Sequence, residues 1–321
     1  MDSPGGPDVM NVGSWIMPNA GRNEILLRVE AAGINRADTL QRQGKYPPPK
    51  GASPILGLEV AGRVEKLGES CSRWHVGDRV FGLLSGGGYA AYAVMHEEMA
   101  MPIPSVLSMV EAASIPEAFL TAYQSLFWSG RLREGEHVLV HAGASGVGTA
   151  AIQLAKDIGA HVVVTASASK HATCLNLGAE KAFDYKAGPF HAAVMEYTNS
   201  RGVDLILDFI AGPYYKQNID SLSIDGRLVV LASLGGGKVD EIDLRQILMK
   251  RLTIVGSTLR SRNIGYQIKL TTEFSQVSLP LFESGQLKPV VDKVFNWREV
   301  EEAHRYMESN QTIGKIVLEV D

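Results

Sequence analysis

With only two cysteines in 321 residues, Cys71 and Cys174, the chain can build neither a disulfide framework nor a four-cysteine zinc lobe. Reduced thiols in a cytosolic protein are the expectation. No run of about 18 apolar residues occurs, so no transmembrane helix is expected. The opening Met1-Asp-Ser-Pro-Gly-Gly-Pro7 has neither a signal-peptide core nor an arginine-rich transit segment, and the closing Leu318-Glu-Val-Asp321 carries no peroxisomal or endoplasmic-reticulum tail signal. A formal net charge of −4 leaves no general basic field, so neither nucleic acid nor a membrane surface is expected as a partner. What remains is a globular composition, 45% hydrophobic and 21% charged, at a length that predicts about two domains.

The most informative stretch is His141-Ala-Gly-Ala-Ser-Gly-Val-Gly-Thr149. Before it, Glu136-His-Val-Leu-Val-His141 reads as a buried parallel strand; after it, Val147, Ala151, Leu154, Ala155 and Ile158 recur at helical spacing up to Gly159. Strand, glycine-rich turn and helix together form a cradle for a dinucleotide pyrophosphate, which the helix N-terminus attracts. Ser145 stands where the usual fingerprint has its middle glycine, and the plain alternative is a tight turn. In a site for the non-phosphorylated dinucleotide, an acidic residue about 20 positions on takes the ribose hydroxyls. Here the tip after His161-Val-Val-Val-Thr165 reads Ala166-Ser-Ala-Ser-Lys170, and the nearest downstream carboxylate is Glu180. Ser167 and Lys170 suit a 2′-phosphate that a carboxylate would repel, which predicts NADPH; Lys170 could equally be a solvated lysine at a helix start.

Upstream, residues 24–30, 58–64 and 89–94 read as strands divided by glycine and proline turns, a compact β-rich domain. Residues 111–129 are helical, and from Gly135 strands and helices alternate, with apolar runs at 203–208 and 226–232 and a last strand at 251–256. After Leu259 the chain leaves that sheet through helices at 271–283 and 299–307 and a closing strand at 313–318. The expected division is 1–117, 118–258 and 259–321, the last segment completing the first domain.

Asn35-Arg-Ala-Asp-Thr-Leu-Gln-Arg-Gln-Gly-Lys-Tyr46, Gly57-Leu-Glu59, Ser85-Gly-Gly-Gly-Tyr89, Ile115-Pro-Glu117, the 141–149 turn, Leu259-Arg-Ser-Arg262 and Ile313-Gly-Lys-Ile316 resemble the medium-chain dehydrogenase/reductase superfamily. More narrowly they resemble its zinc-free p53-inducible quinone oxidoreductase group, relatives of zeta-crystallin, over nearly the whole chain. The resemblance implies an α/β fold, with a GroES-like β-rich catalytic domain and a doubly wound parallel Rossmann-type domain. It also implies NADPH-dependent reduction of quinones, usually by a homodimer. The group normally has a strand before its Pro-Gly-Gly-Pro segment, whereas Pro4-Gly-Gly-Pro7 comes almost at once here. A missing edge strand would expose neighbouring backbone and weaken the catalytic domain.

The resemblance carries site residues with it. Zinc-dependent relatives place histidine before the Glu of Gly-His-Glu and cysteine near Asn35; this chain has Leu58 and no nearby cysteine, so no catalytic metal is expected. His75, His96, His141 and His304 read as surface or packing residues. Tyr46 is the candidate hydrogen-bond donor to substrate, with a rim tyrosine beside Pro47-Pro-Pro49 as the alternative. Asn35 positions substrate or nicotinamide, or else closes a turn. Ser145 orients the cofactor near the nicotinamide, or simply permits close approach. Thr121, Gly146, Val147, Gly148, Ser167, Lys170, Tyr185, Asn310 and Lys315 are cofactor neighbours by the same resemblance, although Tyr185 could merely end a strand. Gly86-Gly-Gly88 precedes a strand and is no phosphate cradle, Gly235-Gly-Gly237 could lie near the nicotinamide, and Arg260 and Arg262 reach substrate or are merely exposed. Two rival functions stand beside quinone reduction: a reductase of activated alkenes, and a cofactor-bound regulatory or RNA-binding protein, which the acidic balance disfavours.

Overall fold

The computed structural model describes residues 3–321, which divide into two compact units, 3–120 with 260–321, and 121–259. In chain order the first unit contributes β1 (Glu24–Ile34), α1 (Arg36–Arg42), β2 (Glu59–Leu67), β3 (Arg79–Leu83), β4 (Tyr92–His96), β5 (Ala100–Pro102), α2 (Met109–Ala113) and α3 (Pro116–Tyr123), which runs on into the second. The second unit alternates β6 (His137–Val140), α4 (Gly146–Asp157), β7 (His161–Thr165), α5 (His171–Leu177), β8 (Lys181–Phe183), α6 (Phe190–Tyr197), β9 (Val203–Asp208), α7 (Tyr215–Ser221), β10 (Leu222–Val230), α8 (Leu244–Lys250) and β11 (Thr253–Gly256). The return segment adds α9 (Ile264–Glu283), β12 (Val291–Asn296), α10 (Val300–Glu308) and β13 (Lys315–Glu319) to the first unit.

The first unit is a seven-stranded sheet in the order β12-β13-β1-β2-β3-β5, with β4 also on β1. The eleven residues of β1 serve two partners: Glu24 to Arg28 pair with β4, and Ala31 to Ile34 pair with β13. The closing strand is thereby tied to residues nearly 300 positions earlier. Phe119, Phe274 and Phe282 pack edge-on and tilted against one another and fix α9 on α3 within this unit.

The second unit is a six-stranded parallel sheet in the order β11-β10-β9-β6-β7-β8. Every residue of β9, Val-Asp-Leu-Ile-Leu-Asp, is buried, as a parallel strand covered on both faces requires. Strand order reverses between β6 and β9, and in doubly wound sheets ligands bind outside the carboxyl ends of the strands at such a reversal. Among the described residues, no helix is long and apolar enough to cross a membrane.

Candidate functional site

The turn after β6 lies at this reversal. Ser145 is extended and caps α4, its Oγ accepting from Gly148 N at 3.1 Å. The glycines are dictated by space: a Cβ on Gly148 would lie 2.4 Å from Ala142 O and 2.6 Å from Gly143 O, and one on Gly143 would lie 2.6 Å from Val164 Cβ. Helix, turn and neighbouring strand therefore close up only without side chains there. Gly146 and Val147, half-buried, contribute first-turn amides that have no intrahelical acceptor. A twelve-residue helix behind them aims its positive end at the same place. Thr121 Oγ1 is buried without a hydrogen-bond partner, a hydroxyl still able to serve a ligand. These features fit a dinucleotide pyrophosphate.

Behind the turn runs a directional chain of buried polar groups. Asn218 Nδ2 donates to Asp208 Oδ2 at 2.9 Å, so its Oδ1 faces His141 Nε2 at 2.7 Å. His141 is therefore protonated on Nε2, and its Nδ1 accepts from Thr165 Oγ1 at 2.8 Å. Burial holds this imidazole below its ordinary pKa and hence neutral. Three adjacent strand ends, at Thr165, His141 and Asp208, are fixed together, and Asp208 also accepts from the amides of Ile210 and Ala211. His141 is thus a packing residue, as expected, and one that sets the turn.

The tip beyond β7 holds Ser167 and Lys170, both half-buried, with Lys170 N bonded to Ser167 O at 2.9 Å. Ala166 N donates to Phe183 O at 3.0 Å, so this tip and exposed Tyr185 follow paired strand ends. Glu180 is engaged by His161 at 2.7 Å and by Tyr197.

In the first unit, Asn35 and Lys315 meet in a buried cluster. Lys315 Nζ donates to Ile34 O at 2.8 Å, and to Asn35 Oδ1 and Glu59 Oε1 at 2.6 Å each. Asn35 Nδ2 donates to Glu59 Oε1 at 2.8 Å, and Glu117 N to Glu59 Oε2 at 2.8 Å. All three ammonium protons are used, so Lys315 is bound to hold Asn35 and Glu59. Asn310 accepts from Arg36 Nη2 at 2.7 Å. Asp38, wholly buried, accepts from Asn35 N, Gly57 N and Tyr89 Oη, and burial raises it to about 6 against these hydrogen bonds. Tyr89 accepts in turn from His304 Nε2 at 3.3 Å, and Arg42 faces His304 Nδ1 at 3.3 Å. Burial and Arg42 depress His304 to about 3, so it is neutral.

Tyr46 is half-buried, with the Arg260 guanidinium 5.6 Å from its ring centroid. Burial, then Glu117, hold its phenol above the ordinary value, so it is a hydrogen-bond donor at neutral pH. Burial and the neighbouring Glu59 raise Glu117 to about 7. Exposure as the simpler account of both arginines is corrected for one of them: Arg262 is exposed, but Arg260 is 7% exposed because its guanidinium is bound by Ser85 O and Gln41 Oε1. Asp38, Glu59 and Glu117 lie outside the site residues that the sequence predicts, although all three stand in motifs that carry the family resemblance. Their signal is a carboxylate inside an otherwise apolar or alanine-rich run, which carries meaning only once burial is known.

Two family models match: the alcohol dehydrogenase GroES-like domain over residues 21–105 and the zinc-binding dehydrogenase over 146–276. Among the described residues, no group of three or more His, Cys, Asp or Glu is placed to hold a metal ion. Human quinone oxidoreductase is 32% identical over 325 residues, covering 98% of this chain and 94% of that protein. The solved structure of Escherichia coli quinone oxidoreductase complexed with NADPH aligns with a TM-score of 0.88 at 29% identity, covering 99% of this chain and 98% of that one. The crystal structure of CurK enoyl reductase aligns equally well, TM-score 0.88 at 30% identity, over 100% of this chain and 98% of that one.

Proposed function

We propose, from the premise that the chain belongs to the medium-chain dehydrogenase/reductase superfamily, that it is an NADPH-dependent quinone oxidoreductase working without a metal. The observation that carries this reading is a phosphate cradle whose neighbouring strand ends in Ser167 and Lys170 with no carboxylate. When bound, the reduced nicotinamide supplies the hydride. The amides of Gly146 and Val147 would hold the pyrophosphate, Ser167 and Lys170 the 2′-phosphate, and Tyr185 the adenosine side. Ser145 keeps the helix start in place, while Thr121 Oγ1, buried without a hydrogen-bond partner, would serve the cofactor. Asn35 is locked by Lys315 and Glu59 and orients its neighbours as a rigid group. Tyr46 donates to the acceptor oxygen. Leu58, 1% exposed, cannot ligate a metal, which supports metal-free transfer.

A homodimer is part of the proposal. Strand β11 leaves one edge of the parallel sheet open, and α8 presents Leu244, Leu248 and Met249 at 70%, 74% and 65% exposure. The similarity to CurK enoyl reductase favours one second reading, hydride delivery to an electron-poor C=C bond. Cofactor oxidation with a panel of ortho- and para-quinones and enones, run with NADPH and NADH, decides between the two. Preference for NADPH with quinones supports the main reading; turnover confined to enones replaces it.

A further inference from the structure

Three cations are buried among the described residues: Arg42, Lys315 and Arg260. Arg42 is paired with Glu308, and Lys315 with Glu59 at 2.6 Å. Arg260 has only neutral acceptors. Its Nε and Nη2 donate to Ser85 O at 3.1 and 2.6 Å, and its Nη1 to Gln41 Oε1 at 2.7 Å. Three of its five N–H groups are thus accounted for. Burial without a hydrogen-bonded ion-pair partner is costly, and it lowers the pKa of this guanidinium against the opposing influence of Tyr46, Asp38 and Glu117. The backbone that presents Ser85 O is held by Gly86, which at φ +151 carries the chain past Ser53, where a Cβ would lie 2.9 Å from Ser53 O. Gln41, Tyr46, Ser85, Glu117 and Arg260 all belong to one unit.

We propose that Arg260 and Tyr46 form an oxyanion subsite that takes the oxygen on which negative charge develops, and that selects acceptors whose reduced form is a phenolate or an enolate. The inference rests on the reductase reading. Hydride supplied by a bound reduced nicotinamide, whose C–H bond breaks, would form an O–H bond at one quinone oxygen; the displaced electron pair would settle on the far oxygen as a phenolate, and a solvent proton would convert it to the hydroquinone. With an enone, the new bond is to the β-carbon and the pair settles on the carbonyl oxygen as an enolate. A cation fixed before the charge appears needs no reorganisation when it does, which is the condition for strong electrostatic catalysis. The two unassigned N–H groups and the Tyr46 hydroxyl are the donors available for that oxygen.

The test uses 4-nitrophenol as a phenolate probe with the full chain, read by phenolate absorbance at a pH just below the probe's own ionisation. Wild-type protein binds the probe as its anion, favouring ionisation by about tenfold, one pH unit. Arg260→Gln abolishes that preference, and Arg260→Lys, which keeps the charge, retains part of it. In turnover, the loss caused by Arg260→Gln is greatest for the acceptor whose reduced form is the weakest acid, whereas a merely structural defect slows all acceptors alike. Wild-type protein that fails to bind the probe, or leaves its ionisation as in free solution, overturns the subsite, as does unchanged phenolate binding by Arg260→Gln. A protein that reduces no quinone or enone yet binds the phenolate through Arg260 loses the reductase reading and keeps the subsite. Quinone turnover without phenolate preference gives the reverse.

Discussion

Replacing Glu117 by glutamine tests the electrostatics of the first unit. The carboxyl is raised from 4.5 to about 7, first by burial and then by the charge of Glu59, with Lys315 and Arg260 opposing. Between these two values the folded protein binds more protons than the unfolded chain, so this group's contribution to stability falls as pH rises and has been lost once pH passes about 7. A shift of about 2.5 units at about 1.4 kcal/mol each gives a loss of about 3 kcal/mol between pH 4 and pH 8. Glutamine keeps the shape, and the backbone N–H that donates to Glu59 Oε2 is unaffected, but it has no charge to acquire. The variant is therefore expected to gain on wild type by up to about 3 kcal/mol from pH 4 to pH 8, or roughly 6–12 °C in the melting of a unit of this size. Asp38, raised to about 6, is present in both proteins; its charge also raises Glu117, so removing the Glu117 charge eases the ionisation of Asp38 and adds to the difference in the same direction. Thermal melts of both proteins at steps across that range measure it. A difference that stays constant with pH would mean that Glu117 titrates as an ordinary surface carboxyl, and the account of its enclosure by Glu59 would be wrong.

Tyr46→Phe is expected to lower turnover at least tenfold, about 1.4 kcal/mol of transition-state hydrogen bonding, with NADPH affinity nearly unchanged; an unaltered rate removes the hydroxyl from the mechanism. Lys170→Ala should weaken NADPH by about tenfold and NADH little, as titration of cofactor fluorescence would record. Equal losses for both would assign the phosphate to another group. Lys315→Met leaves Glu59, which is 0% exposed, without its cation and should cost about 3–5 kcal/mol in denaturant melts. Adding Glu59→Gln should restore a large part, and no restoration would show that the lysine acts by packing rather than by charge.

The local elements were legible in the sequence because their signals are local. β7 at His161–Thr165 and β9 at Val203–Asp208 fall where continuous apolar runs placed them. The strand, glycine turn and helix around Ser145 also follow from spacing alone. The helix expected at 271–283 begins earlier, at Ile264. Asn263 supplies the start signal, its side chain accepting from Tyr266 N at 2.9 Å, eight residues before the apolar pattern becomes regular. The region 111–129 is helical but broken: Ser108 caps a short α2, α3 follows, and a π-turn closes it at Gln124–Ser129. Alanine-rich periodicity does not resolve such breaks.

What the sequence determined by itself is the class of molecule and the chemistry of the cradle. Periodicity, glycine spacing and the missing carboxylate after β7 are properties of neighbouring residues, and the backbone makes neighbours meet in only a few ways. Tertiary structure decided the rest. Arg260 became a buried cation because Ser85 and Gln41, 175 and 219 positions away, supply its acceptors. Lys315 became the partner of Glu59 because β13 returns to lie on β1 after the whole second unit has intervened. Nothing in either lysine or arginine's own surroundings in the chain distinguishes it from a solvated surface cation. Electrostatics depends on distance and dielectric in space, and both are settled only when strands far apart in sequence pair.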